Sequence, residues 1–219
     1  SGDECNGSRE NTSKPAPAIT LLFNASANAA SSIIPPRATF IIIERIIYFI
    51  SLNKKSVLFR EKIAEPLKLK NYGEVLEICK SEDIPEASVI GKAVYFRNTP
   101  ISVQKDAVNA EIDKQVPKLE KFLTSLGTIA NISTLLGLLG TVTGNISAFG
   151  VLGEGASMGN PALLAGSIAE ALVTTASGLV ISIPALIFHN YFVAQVDKIL
   201  SEMETSITEL QLQFLKKED

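Results

Sequence analysis

Residues 122–196 of this chain carry only two formal charges, Glu154 and Glu170. Residues 122–153 contain no charged side chain, and a membrane-spanning helix needs only about 20 apolar residues. Two helical crossings therefore fit, with Glu154 in the turn that joins them. Because buried helices of soluble proteins are rarely uncharged over such a length, this pattern predicts a membrane protein.

Glu170 lies within an apolar stretch, residues 163–188, that is long enough to cross a bilayer. A carboxyl group is costly to bury in a membrane, so its presence indicates an ion pathway, a proton pathway or a polar partner. The alternative is a structural carboxyl that is protonated or hydrogen-bonded to a neighbouring helix. The two interpretations are compatible.

Composition argues against several other classes of function. The net charge is −3 and there is no basic patch with interleaved aromatic residues, so nucleic-acid binding is not expected. Cys5 and Cys79 lie far apart and His189 has no Cys or His companion, so we expect unpaired thiols, an interfacial histidine, and no metal or other cofactor. Residues 137–144 are glycine-rich but lack the ending of a phosphate-binding loop. We do not expect an enzyme.

The segments before the apolar region differ from one another. Residues 1–34 are rich in Ser, Asn, Ala and Pro, and predict a divergent or weakly ordered segment. Residues 35–52 predict a first transmembrane helix, although Glu44 and Arg45 interrupt it near the middle. Residues 53–121 contain 13 of the 20 Lys and Arg residues and 11 acidic ones, which predicts a cytoplasmic helical region. Helix breaks are expected within it at Pro66, Tyr72-Gly73, Pro85 and Pro100.

The rest of the chain completes an all-α membrane protein with three transmembrane helices and long helices that extend into the cytoplasm. We assign residues 122–150 to the second transmembrane helix, residues 151–160 to a periplasmic turn without Lys or Arg, and residues 161–191 to the third helix. Residues 192–219 predict an amphipathic cytoplasmic helix, whose apolar face either packs on the chain's own helices or mediates self-association. This face comprises Phe192, Val196, Ile199, Met203, Ile207, Leu210 and Phe214.

The predicted second transmembrane helix carries a stripe of small residues. Lipid tails give helices no hydrophobic reason to associate, so close backbone approach through small side chains must supply the packing. Gly140 and Gly144 add a GxxxG pair, which is a weak signal alone, but the whole stripe predicts a tight helix–helix interface. Its members recur at steps of three and four: Gly127, Ala130, Thr134, Gly137, Thr141, Gly144 and Ala148.

Hydroxyl side chains share a helix face with Glu170. At 100° per residue, Ser167, Thr174 and Ser177 lie within about 60° of it, whereas Thr175 points roughly 140° away. Burial would favour the neutral, proton-bearing form of this carboxyl, and neighbouring hydroxyl groups could stabilise either form. We therefore expect these hydroxyls to support the site.

Two motifs resemble the MotA/TolQ/ExbB proton-channel family. The first is IANISTLLGLLGTVTG at residues 129–144, and the second is IAEALVTTASGLV at residues 168–180. The second is followed by Ile183-Pro184-Ala185 and by His189-Asn190. The motifs occur in the family's order, and the resemblance is strong over residues 119–192 and looser before them.

This resemblance implies three spans with the N-terminus outside, in the bacterial inner membrane. Family members form a ring, typically a pentamer, around a dimer of single-span ExbD- or TolR-like partners, and proton flow moves that dimer with the help of a partner aspartate. By motif position, Thr141 and Thr175 line the pore and Glu170 is the intramembrane carboxylate. That carboxylate favours the TolQ/ExbB branch over MotA-like stators.

The chain also departs from the family pattern. Thr134 replaces the usual proline and Asn145 replaces an apolar residue, so both add polarity to the second helix. The first span departs as well, because Pro35, Pro36 and Arg37 interrupt the apolar run that the family has before its Glu-Arg pair. The leading hypothesis is an inner-membrane subunit of a proton-motive-force-driven channel that powers transport or envelope processes with its partner. The alternatives are a MotA-like motility stator subunit and a non-conducting membrane scaffold.

Overall fold

The computed structural model describes residues 34–153 and 161–215, which form six α-helices and, within those ranges, no β-strand. The helices are α1 (Ile34–Lys68), α2 (Tyr72–Ser81), α3 (Pro85–Tyr95), α4 (Ile101–Leu119), α5 (Leu123–Gly153) and α6 (Pro161–Leu215). The all-helical prediction is confirmed for these residues. The predicted weakly ordered N-terminal segment and most of the predicted periplasmic turn, with Glu154, lie outside the described residues.

Most boundaries between α1 and α4 follow from local sequence. Asn71 caps α2 by accepting a hydrogen bond from the backbone N–H of Glu74 at 3.5 Å. Helix α3 begins at Pro85 and α4 follows Pro100, where a missing backbone N–H costs nothing at a helix start. The breaks predicted near these residues and near Tyr72 coincide with helix boundaries.

Pro66 does not break α1, so the predicted break there is wrong. The helix continues to Lys68 and ends where Lys70 takes a left-handed conformation, with φ of 57°. The N–H of Asn71 then donates to the carbonyl of Pro66 at 2.9 Å, which satisfies one of the last helical carbonyls. Because the proline lies in the final turn, it removes only a hydrogen bond close to the helix end.

Two helices are longer than the segments predicted for them. Helix α1 continues through the predicted boundary at residue 52, and α6 joins the predicted third transmembrane helix and C-terminal helix into 55 residues. At about 1.5 Å per residue, α6 is roughly 80 Å long. Since the hydrocarbon core of a bilayer is only about 30 Å thick, much of α6 must lie outside any membrane that it crosses.

The described residues form two compact units. The first contains residues 34–39, 127–153 and 161–186, so it consists mainly of the apolar parts of α5 and α6. The second contains residues 40–126 and 187–215, so it includes most of α1, all of α2 to α4, and the C-terminal part of α6.

In the second unit, the C-terminal part of α6 packs on the chain's own helices. Phe192 stacks on Phe49 of α1 with ring centroids 5.7 Å apart, and Phe214 meets Tyr72 of α2 edge-on, also at 5.7 Å. Five members of the predicted apolar face are buried: Phe192, Val196, Met203, Ile207 and Leu210. This burial supports packing on the chain's own helices, rather than self-association, as the role of that face.

Arg60 of α1 links two other helices in this unit. Its Nε donates to Glu86 Oε1 of α3 at 2.6 Å, and a terminal nitrogen donates to Glu202 Oε2 of α6 at 2.9 Å. Partial burial opposes the charged guanidinium, but the hydrogen bonds and negative charges of Glu86 and Glu202 outweigh it and raise the pKa of Arg60. One side chain therefore joins three helices.

Arg45 has only 1% of its side chain exposed, although it lies in the predicted first transmembrane helix. It donates to the carboxylate of Glu44 at 2.8 Å and to the backbone carbonyl of Leu119, at the end of α4, at 3.2 Å. Its guanidinium also lies 4.7 Å from the ring centroid of Tyr48 and 5.6 Å from that of Phe122. The charge is therefore satisfied while Arg45 completes the hydrogen bonding at a helix C-terminus.

We expect Arg45→Met to destabilise the protein by about 1.5–3 kcal/mol, the range for hydrogen bonds to a charged group, because the Leu119 carbonyl loses its charged donor. Thermal unfolding in detergent measures this change. Lys54→Met makes the same kind of replacement at an exposed position of α1 and should leave the Tm nearly unchanged. Equal shifts for the two variants would show that the contacts of Arg45 contribute no stability.

Cys79 is a free, buried thiol of α2. It packs on α3, because a Cβ atom added to Gly91 would lie only 3.2 Å from the Cys79 Cβ. Burial raises the pKa of the thiol from 9.0 to about 11. The prediction of an unpaired thiol is confirmed for Cys79, whereas Cys5 lies outside the described residues.

In a Cys5→Ser background, native Cys79 should react with iodoacetamide at pH 8 roughly 10²-fold more slowly than in denaturant, because the raised pKa lowers the thiolate fraction by about that factor. The folded-state pKa lies above the unfolded value, so this thiol's contribution to stability is complete below pH 9.0 and is lost as the pH rises towards about 11. Alkylation followed by mass spectrometry measures the rates. Equal rates would contradict the buried environment.

Two of the described helices are long and apolar enough to cross a membrane. The segments are Leu123–Gly150 of α5 and Leu164–Phe214 of α6, and only 33% and 22% of their most apolar windows are buried. A core helix of a soluble protein would be mostly buried, so these exposed apolar faces are consistent with contact to lipid. Helix α1 does not meet the same criterion, and the predicted first span is therefore not confirmed.

Candidate functional site

In the first unit, α5 and α6 approach each other closely at glycine positions. A Cβ atom added to Gly144 would meet the side chain of Ala171 and would lie 3.1 Å from its Cα. A Cβ atom added to Gly140 would meet the hydroxyl of Thr174, with the Thr174 Cβ at 2.7 Å. Only glycine allows these two helices to pack at this separation.

The close approach continues along the pair at Gly137 and Gly178. A Cβ atom on Gly137 would lie 3.3 Å from the Cα of Thr175. A Cβ atom on Gly178 would lie 2.6 Å from the carbonyl oxygen of Ser133 and 3.0 Å from the Cα of Gly137. These neighbours are backbone atoms, so they cannot swing aside as a flexible side chain can. Three glycines of α5 thus face α6: Gly137 and Gly144 of the predicted stripe, and Gly140 of the GxxxG pair.

Hydroxyl groups also connect the two helices. Thr175 donates to the backbone carbonyl of Gly137 at 2.8 Å. The hydroxyls of Thr134 and Ser182 lie 2.6 Å apart. In lipid, helices associate through close packing and interhelical hydrogen bonds, because the hydrophobic effect does not drive them together. These hydroxyl contacts therefore strengthen the association of α5 with α6. Thr134, at the position where the resemblance led us to expect proline, therefore makes a polar contact between α5 and α6.

The other members of the small-residue stripe are also covered. Ala130 and Ala148 are buried, with 1% and 5% of their surfaces exposed, and Gly127 is buried as well. Thr141 is only partly buried, and its hydroxyl donates to the carbonyl of Leu138 in its own helix at 2.7 Å. The assignment of the whole stripe to one interface stays a prediction.

Glu170 lies on an exposed side of α6, next to the buried Ala171. Thr174 donates its hydroxyl hydrogen to the carbonyl of Ala171, and Ser177 donates to the carbonyl of Val173, each at 2.8 Å. Because these hydrogens are used by the backbone, the two hydroxyls offer Glu170 acceptor oxygens only. No described residue hydrogen-bonds or ion-pairs with this carboxylate.

The remaining polar residues predicted for the site lie at separate positions on α5 and α6. Asn145 is exposed on α5, one turn beyond Thr141, so the two share a helix face. Ser167 is partly buried on α6, one turn before Glu170. Thr175, placed in the pore by the resemblance, is bonded to α5 in this protomer.

Our prediction missed the α6 side of the helix contact. Ala171, Gly178 and Ser182 form that side with the two threonines between them. They recur at the same steps of three and four that identify the stripe on α5. Applying the small-residue rule to both helices would have found them.

The comparison with known protein families covers this same pair of helices. The sequence profile of the MotA/TolQ/ExbB proton channel family matches residues 82–205, more than half of the chain. The chain belongs to this family. The matched region contains all of α5, most of α6 and Glu170, so the helix contact described above lies within the part shared by the MotA/TolQ/ExbB proteins.

Relatives of known name come from the ExbB and TolQ branch of the MotA/TolQ/ExbB family. A biopolymer transport protein designated ExbB-like 3 from Synechocystis is 28% identical over 156 residues, which cover 71% of this chain and 74% of the relative. The Tol-Pal system protein TolQ of Haemophilus influenzae is 36% identical over 103 residues, covering 47% of this chain and 45% of TolQ. The biopolymer transport protein ExbB of Aquifex aeolicus is 31% identical over 118 residues, covering 54% and 77%. The chain thus matches less than half the length of the Haemophilus TolQ.

Proposed function

We propose that this chain is a multi-span inner-membrane subunit of a proton-motive-force-driven channel of the ExbB/TolQ type. In this proposal, five copies form a ring around a single-span ExbD- or TolR-like partner and power transport or envelope processes. The observation that carries it is Glu170, the only charged side chain on the described part of α5 and on α6 before Asp197. An ionisable group at such a position marks a route for ions or protons.

The exposure of Glu170 supports an assembly of several chains. A carboxylate at the centre of a lipid-facing helix is costly by about 2.5 kcal/mol or more. The protomer does not cover Glu170, so we infer that another subunit, the partner helix or a water-filled lumen does. A ring around a partner offers a neighbouring subunit, the partner helix and a water-filled lumen. Any of these can adjoin Glu170, so the carboxylate need not lie in lipid.

The contact between α5 and α6 supports a role for Glu170 as a positioned group. The residue after it, Ala171, lies directly against Gly144, and Thr174 lies against Gly140. These close contacts at two glycines restrict the rotation of α6 about its own axis. Glu170 is thereby held in an exposed position that a neighbouring chain can reach. In this proposal, Thr141 and Asn145 supply polar groups on the adjoining surface of α5.

Purification in detergent tests the partner, and reconstitution tests the channel. We expect a single-span protein with an aspartate in its span to accompany the chain, and proteoliposomes that contain both proteins to take up protons along an imposed gradient. Liposomes with this chain alone serve as the control and should conduct much less. A stable complex that conducts no protons would favour the non-conducting scaffold instead. A deletion that abolishes motility, while uptake and envelope integrity are unchanged, would favour a MotA-like stator.

A further inference from the structure

An open cavity of about 210 Å³ lies in the second unit, beside the first turn of α5. It is large enough for several water molecules, since one water needs only about 10–15 Å³ of such space. Three of its lining side chains are titratable: Glu120, His189 and Asp197. The proposed channel function assigns no role to any of these three residues.

His189 is the only histidine in the chain. Its Nδ1 lies 3.0 Å from the backbone carbonyl oxygen of Leu123, the first residue of α5. A carbonyl oxygen can only accept a hydrogen bond, so Nδ1 must carry the hydrogen in the neutral ring. The other nitrogen, Nε2, is then an unprotonated base. The tertiary contact therefore selects the tautomer in which Nε2 can take up a proton.

Two acidic side chains, Glu120 and Asp197, line this cavity together with His189. Glu120 comes from the turn between α4 and α5, and Asp197 lies two turns after His189 on α6. Neither Arg45, which donates to the carbonyl of Leu119, nor Lys121, whose Nζ lies 4.9 Å from the ring centroid of Phe122, is among the residues that line the cavity. The described residues contain no group of three His, Cys, Asp or Glu side chains suited to a metal ion.

We propose that Nε2 of His189 is the proton acceptor at the cytoplasmic end of the channel. This inference rests on the proposed function and adds a release site to it. Uptake of a proton from a hydronium ion in the cavity breaks one O–H bond, forms the Nε2–H bond and gives imidazolium and water. Transfer of that proton to cytoplasmic water breaks the bond and restores the neutral ring, so no electrons are exchanged. Glu120 and Asp197 line the same cavity and are the acidic groups that such a proton meets there.

His189→Asn tests the role of Nε2 separately from that of Nδ1. The amide N–H of Asn can still donate near the position of Nδ1, whereas Nε2 is absent. In proteoliposomes with the partner, we expect proton flux to fall at least roughly tenfold, as for the loss of a positioned proton acceptor. The dependence of flux on cytoplasmic-side pH between about 5 and 8 should disappear. Imidazole added on that side should restore flux, because it supplies a mobile base.

Two results would overturn the assignment of His189. Normal flux in His189→Asn with an unchanged pH dependence would show that Nε2 accepts no proton, and a loss that imidazole does not restore would show a structural role. Either result leaves the proposed channel intact if Glu170→Gln still abolishes flux.

NMR of the protein labelled with ¹⁵N-histidine provides a readout that does not depend on flux, and a single residue contributes. The neutral ring should carry its proton on Nδ1, and its signals should shift with pH between about 5 and 8. A proton on Nε2 in the neutral ring, or a ring that does not titrate in this range, would also overturn the assignment. This measurement stays informative even if the wild-type complex conducts no protons and the proposed function fails.

Discussion

Glu170→Gln is expected to reduce proton flux by roughly 10²-fold or more, the loss that follows removal of a positioned proton donor and acceptor. Glutamine has nearly the same size and retains polar atoms, so α5 and α6 should pack as before. Glu170 has no hydrogen-bond or ion-pair partner among the described residues, so its replacement breaks no such bond in that part of the chain. Flux into proteoliposomes that contain the partner measures the effect, and size-exclusion chromatography verifies assembly.

Glu204→Gln is the matched control for this result. It makes the same chemical change at an exposed position of the same helix, beyond the apolar segment. It should leave both flux and assembly unchanged. If Glu170→Gln conducts normally, Glu170 is a structural carboxyl and the proposed mechanism fails. If Glu170→Gln prevents assembly, the carboxylate is needed to bind a neighbouring chain.

Gly178→Ala is expected to disrupt the contact between α5 and α6. The added Cβ would lie 2.6 Å from the Ser133 carbonyl oxygen and 3.0 Å from the Cα of Gly137, so the helices would have to separate. Overpacking of this kind costs about 1–3 kcal/mol, and backbone clashes place this variant at the upper end of that range. Thermal unfolding in detergent measures the loss, and flux should decrease with it because Glu170 loses its fixed orientation.

Gly166→Ala provides the comparison on the same helix. No atom lies within 4 Å of a Cβ added there, and alanine is the better helix former by about 1 kcal/mol in aqueous hosts. This variant should therefore be as stable as the wild type or more stable. If both alanine variants unfolded at the same temperature, the close approach at Gly178 would be refuted.

The helical architecture follows from local sequence patterns. Uncharged runs of sufficient length identify α5 and the apolar part of α6, because a spanning helix needs about 20 apolar residues. The helix starts at Pro85 and after Pro100 follow from the missing N–H and fixed φ of proline. These signals depend on neighbours within one or two turns, and a sequence displays such neighbours directly.

The candidate site was predictable only in part. The stripe and the GxxxG pair on α5 identified Gly137, Gly140 and Gly144 as packing residues, and each of them faces α6. The rotation of residues about α6 placed Thr174 and Ser177 beside Glu170, but it could not reveal that their hydroxyl hydrogens are donated to the helix backbone. Angular position shows which residues share a face, whereas hydrogen-bond partners depend on rotamers and on what covers that face.

Long-range contacts account for the other differences. In the sequence, Arg45 is a charged residue that interrupts the predicted first transmembrane helix. Its structural partner is the carbonyl of Leu119, 74 residues away, and no periodicity links the two positions. The tautomer of His189 is set in the same way, by the carbonyl of Leu123.

By itself, the sequence determined that this protein is helical, that two stretches can cross a membrane, and that one carboxylate lies in the second of them. Composition and spacing are enough for this, because the cost of charge in lipid and the geometry of a helix apply to each segment separately. Only the tertiary structure decided which side of α6 packs on α5 and which nitrogen of His189 donates to the carbonyl of Leu123. Those features depend on atoms of distant segments meeting within hydrogen-bond or van der Waals distance, which is a property of the folded chain.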